Sequence, residues 1–87
     1  GIASVAEALA YARHPVLGAR LTECCSALLR LKGKTALDVF GSPDDMKLKS
    51  SMTLFERAAP DPAIFGQVLE RYFDGQRDRR TLELLGG

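Results

Sequence analysis

The sequence predicts an all-α fold, a small irregular orthogonal bundle of five or six short helices. Three observations predict it. Apolar residues recur at intervals of three and four along most of the chain. The punctuation between these runs belongs to helices: Ser, Thr or Asp before a run, often with Pro, and Gly or Pro after it. Strand signals are missing, with no alternating Val/Ile/Thr runs and no Asn-Gly or Asp-Gly between such runs. The 87 residues suffice for one domain, spanning 1–87.

Each helix has its own justification. Ser4 and Glu7 form an S-x-x-E capping box, and Val5, Ala8, Leu9 and Ala12 follow at helical spacing, predicting a first helix over Ser4 to Arg13. Pro15 pre-sets the first turn of a second. There Leu17, Leu21, Cys24, Leu28 and Leu31 recur as an apolar stripe that Cys25 widens, with Gly33 as a left-handed C-terminal cap. Thr35 and Asp38 resemble another capping box, opening a single turn through Phe40 that Gly41 stops. Ser42, Pro43, Asp44 and Asp45 then read as a cap, a proline at the first position and two acids at the positive dipole end. That helix is expected to reach Ala59, with Leu48, Ser51, Met52, Phe55 and Ala59 inward. Asp61 and Pro62 repeat the device before Ile64, Phe65, Val68, Leu69, Tyr72 and Phe73, and Asp74-Gly75 reads as a C-cap. Asp78 caps a last short helix anchored by Leu82 and Leu85.

Composition sets limits on function. Twelve Lys/Arg against eleven Asp/Glu leave a net charge of +1, without the basic excess of a dedicated nucleic-acid binder. No apolar run approaches the ~20 residues that span a bilayer. The start of the chain carries Glu7 and no basic leader, unlike a signal peptide. Cys24 and Cys25 are adjacent, and helical neighbours point about 100° apart, so an ordinary disulfide between them is excluded and a reducing cytoplasm is the expected setting.

The segment SPDDMKLKSSMTLF at 42–55 carries a family resemblance, supported by EALAYARHPVLGARL at 7–21, DVFGSPDD at 38–45 and DGQRDRRTLELLG at 74–86. The chain resembles the bacterial domain of unknown function family 1810, whose members are often labelled calpastatin. The label fits the residues poorly, since true calpastatins are long disordered inhibitors and this chain is short, Leu-rich and punctuated for packed helices. The resemblance implies an all-helical cytoplasmic protein of no established activity. It also implies a C-terminal portion of a longer family domain, because members carry a further N-terminal segment with an aromatic-rich stretch and Gly1 falls near the middle of the pattern.

Candidate site residues gather at 44–53. Asp44 and Asp45 could hold a cation, Lys47 and Lys49 a phosphate, and Ser50 and Thr53 supply hydroxyls. Paired acids in a first helical turn also serve the dipole, and mid-helix Ser and Thr satisfy themselves on the carbonyl one turn back. No Gly-rich phosphate loop or G-x-S-x-G elbow accompanies them. His14 reads as a helix C-terminal residue meeting the dipole, and both cysteines as buried packing rather than metal ligands. Arg71, Arg77, Arg79 and Arg80 interleave with Asp74, Asp78 and Glu83 as a solvated, locally paired surface. No cofactor or metal is implied. The reading is a protein-interaction or structural module whose partner is a protein, either its own N-terminal segment or a second copy in a dimer; membrane and nucleic acid are disfavoured. The alternative is an enzyme or small-ligand or phosphate-binding domain built on Asp44, Asp45, Lys47, Ser50 and Thr53.

Overall fold

A computed structural model describes residues 5–86 of the chain. It contains six helices: α1 (Val5–Arg13), α2 (Pro15–Arg30), α3 (Ala36–Phe40), α4 (Asp44–Ala58), α5 (Ala63–Phe73) and α6 (Arg79–Leu84). No strand occurs among the described residues. The fold is the all-α bundle that the spacing predicts. Ser4, half of the expected first capping box, lies outside the described residues.

Helix α4 is the hub, packing against α1, α3, α5 and α6, while α2 closes on α1 and α5. The core is one contiguous cluster of Ala8, Cys25, Leu28, Met52, Phe55, Ala58, Phe65, Val68 and Leu69. Phe55 lies at its centre, 5.8 Å from the Tyr11 ring and 5.5 Å from the Phe65 ring. The α5 face of Ile64, Phe65, Val68, Leu69, Tyr72 and Phe73 packs into or against this cluster as the sequence predicts. Close approach between α1 and α2 depends on Gly18, where an added Cβ would lie 2.1 Å from the Ala12 carbonyl oxygen.

Local chemistry explains most helix ends. The Thr35–Asp38 capping box is fully formed, with the Asp38 N–H donating to the Thr35 hydroxyl at 3.0 Å and the Thr35 N–H to the Asp38 carboxylate at 2.9 Å. That bonding to Thr35 holds the Asp38 carboxyl below the usual carboxylate range. Asp74, at φ 54°, and Gly75, at φ 75°, end α5 in the left-handed region. Asp78 caps α6 by accepting from the Thr81 N–H at 2.9 Å.

Five expectations are corrected. The buried stripe of α2 runs through Leu21, Cys25 and Leu28 rather than through Cys24, which is exposed. Helix α2 stops at Arg30 with Leu31 extended, so Gly33 lies beyond the cap rather than forming it. The reason is tertiary. The Tyr72 hydroxyl donates to the Leu28 carbonyl at 2.6 Å and Arg71 Nη2 to the Leu31 carbonyl at 3.0 Å, so α5 serves the end of α2. His14 is not a C-terminal residue of α1 meeting the dipole: its extended backbone and Nδ1 form the N-cap of α2, accepting from the Val16 and Leu17 N–H groups at 3.2 Å each. Ser42 and Asp61 do not cap α4 and α5. In both places the following proline is itself the half-in residue, with no side-chain cap bond. The Pro43 carbonyl accepts from Met46 and Lys47, and the Pro62 carbonyl from Phe65 and Gly66, which starts each helix one residue later.

Candidate functional site

The five candidate residues lie along α4, yet the fold gives them different tasks. Asp44 and Lys47 pair with each other at 3.4 Å on the surface, both largely exposed. Asp45 is half-buried in the first turn, and one of its carboxylate oxygens is shielded from solvent without a hydrogen-bond partner in the structure. The Ser50 hydroxyl donates to the Lys47 carbonyl at 3.1 Å, which is the back-bonding its mid-helix position predicts.

Thr53 is fully buried and works across elements. Its hydroxyl donates to the Lys49 carbonyl at 2.8 Å and accepts from the Asp78 N–H at 2.9 Å. The hydroxyl therefore joins α4 to the N-terminus of α6. Asp78 in turn accepts from the Thr81 hydroxyl and N–H, and these bonds hold its carboxyl below the usual range.

A second clamp joins α4 to the segment before α6. Arg77 reaches Glu56 through two guanidinium nitrogens, with Nε to Oε1 at 2.8 Å, and also donates to the Gly75 carbonyl. Hydrogen bonding from Arg77 pulls the Glu56 carboxyl down and raises the guanidinium in return. Gly66 makes room, since a Cβ there would lie 2.7 Å from Glu56 Oε2. Read in sequence, Arg77 is one more cation in a basic run, and nothing marks Glu56, 21 positions away, as its partner.

An open groove of about 190 Å³ lies between α4 and α6, lined by Ser50, Ser51, Leu54, Phe55, Thr81, Leu84 and Leu85. Of the candidate residues it contains Ser50 alone. Among the described residues, no group of three or more His, Cys, Asp or Glu converges as metal ligands would. Burial pushes the Cys25 thiol up to about 11, with the neighbouring Cys24 adding to the effect, and the thiol faces the Met52 sulfur at 3.8 Å. It is a core group in chemistry as well as in position.

The surface feature that stands out is apolar. Of the seven exposed large hydrophobic residues among the described residues, Leu31, Leu37, Val39, Phe40 and Met46 fall within one stretch of the chain. Leu37 is 55% exposed, Met46 51% and Phe40 40%. Helix α3 has only five residues and packs on α4, so one side, around Ala36, is buried and the rest faces out. No helix among the described residues is long and apolar enough to cross a membrane.

No curated protein is significantly similar to the chain. Among solved structures, it is similar to the conserved hypothetical protein Rv1873 from Mycobacterium tuberculosis, at 46% identity and a TM-score of 0.95. The match covers 100% of this chain and 62% of that one, so the chain spans less than two thirds of its relative. The family model described as protein of unknown function (DUF1810) matches residues 1–85, and the chain belongs to that family.

Proposed function

We propose that the chain is a cytoplasmic protein-interaction module whose docking surface is the apolar face of α3 and the start of α4. One observation carries the reading: Leu31, Leu37, Val39, Phe40 and Met46 are each exposed within a span of 16 residues, while the core cluster is closed without them. Apolar surface gathered in one place marks binding sites more often than scattered single residues do. The occupant is a protein segment, either an N-terminal segment of the longer family domain or a second copy of the chain. The alternative, a ligand or phosphate site on Asp44, Asp45, Lys47, Ser50 and Thr53, has less support. The Ser50 and Thr53 hydroxyls are held by carbonyls of their own helix, and Lys47 is held by Asp44.

A hydrophobic dye and light scattering test the reading. The wild type is expected to bind the dye. The variant Leu37→Glu/Met46→Glu should lose that binding, and any self-association with it, at an unchanged melting temperature. Equal dye binding by both proteins would overturn the assignment of this face.

A further inference from the structure

We propose that α6 is a hinged lid on α4, fixed at its N-terminal end by two polar clamps and free to swing at its far end over the groove between the two helices. This motion does not depend on the α3 docking reading. Both clamps start on one face of α4, since Thr53 and Glu56 lie one helical turn apart. Both end just ahead of α6. The Thr53 hydroxyl accepts from the Asp78 N–H at 2.9 Å, and the Glu56 carboxylate accepts from Arg77 Nε at 2.8 Å. Beyond Asp78 the fastening stops. Among the described residues, no hydrogen bond or ion pair joins 79–85 to another helix. The bonds of Thr81, Leu82 and Leu85 run back to Asp78 and Thr81, within the lid itself.

Apolar anchorage is weak as well. Among the described residues, α6 is the one helix without a buried residue. Leu82 and Leu85 are half-buried, and Leu84 is 77% exposed. Few buried apolar contacts mark the segments that open locally. Where a packed seam would hold the far end down there is the open groove, with Thr81, Leu84 and Leu85 on one side and Leu54 and Phe55 on the other. The joint is Asp78, whose backbone is extended at φ -74° and ψ 113°. Rotation about its N–Cα bond carries its side chain, the cap bonds from Thr81 and the helix as one body, while its N–H stays on Thr53. Opening exposes Leu54 and Phe55, and closing covers them with Leu84 and Leu85.

Distances between paired spin labels on the 87-residue chain test this, in a Cys24→Ser background that leaves only buried Cys25. One label sits on α4 in Lys47→Cys. The second sits either on the lid, in Glu83→Cys, or ahead of the clamps, in Gln76→Cys; all three positions are exposed. The Lys47–Glu83 distance distribution is expected to be about twice as broad as the Lys47–Gln76 distribution. Equally narrow distributions would show α6 fixed, and equally broad ones would show that the clamps hold nothing; either overturns the proposal. Amide exchange separates a swinging helix from an unwound one. The Leu82 and Leu85 N–H groups, bonded to the Asp78 and Thr81 carbonyls, should exchange about tenfold or more slowly than in the unfolded chain. Exchange at the unfolded rate would overturn the lid. Thr53→Val/Glu56→Gln removes both clamps and should broaden the Lys47–Gln76 distribution too. If that variant does not fold, the comparison of the two label pairs in the chain with both clamps intact still decides.

Discussion

The Asp78 N–H donates to the Thr53 hydroxyl across 25 positions of sequence, at 2.9 Å, at a site where Thr53 has no exposed surface. A hydroxyl buried this way must be satisfied, and the same oxygen donates to the Lys49 carbonyl. Thr53→Val keeps the shape and removes both bonds, leaving the Asp78 N–H without its partner. The expected loss is about 1–3 kcal/mol by thermal or urea unfolding, with Thr53→Ser retaining more of the stability than Thr53→Val. Equal stability of Thr53→Val and wild type would show that α6 is not held by this bond.

His14 offers a smaller and sharper test. As the N-cap of α2 it satisfies first-turn N–H groups that water can also reach. His14→Ala should therefore cost about 0.5–1 kcal/mol, and His14→Asn, a good cap, should recover most of it. Melting curves of the two variants decide the matter.

Acid should loosen the fold, and the direction follows from three depressed carboxyls. Glu56, Asp78 and Asp38 each hold their charge more readily folded than unfolded. Their contribution is complete above the ordinary glutamate value of 4.5 and is lost as pH falls through the lower native values. Stability measured from pH 7 downward should thus be flat and then decline below about pH 4.5. Glu56→Gln should flatten part of that decline and cost about 1–2 kcal/mol at neutral pH, by weakening the hold of Arg77.

The two cysteines should react apart. Cys24 is exposed and Cys25 is buried with its thiol pushed up to about 11. Ellman's reagent should label one thiol quickly in the native protein, and the second on unfolding. Cys24→Ser should abolish the fast phase, and Cys25→Ser should leave it.

The contrast between those cysteines shows how far the sequence could be read. The spacing from Leu17 to Leu31 identifies an amphipathic helix, but Cys24 and Cys25 lie about 100° apart and both fit a broad stripe. Only the positions of α1 and α5 decide that Leu21, Cys25 and Leu28 turn inward. Caps made of neighbouring residues were legible, as at Thr35–Asp38, Asp74–Gly75 and Asp78. Ser42 and Asp61 misled because Pro43 and Pro62 each became the half-in residue. Thr53 drew notice as a polar residue in α4, yet its partner comes from a distant helix, which periodicity does not encode. The Glu56–Arg77 clamp and the outward side of α3 were hidden for the same reason: both depend on where helices pack.

The bonds from Tyr72 and Arg71 to the end of α2 bear on how the chain assembles. The carbonyls of Leu28 and Leu31 receive these donors from residues 44 and 40 positions later. The last turn of α2 is thus completed by a segment that leaves the ribosome well after it. A nascent chain that stops short of α5 leaves that turn frayed and Leu28 uncovered. Amide exchange should accordingly report the end of α2 and the middle of α5 as one cooperative unit, opening together despite their distance in sequence.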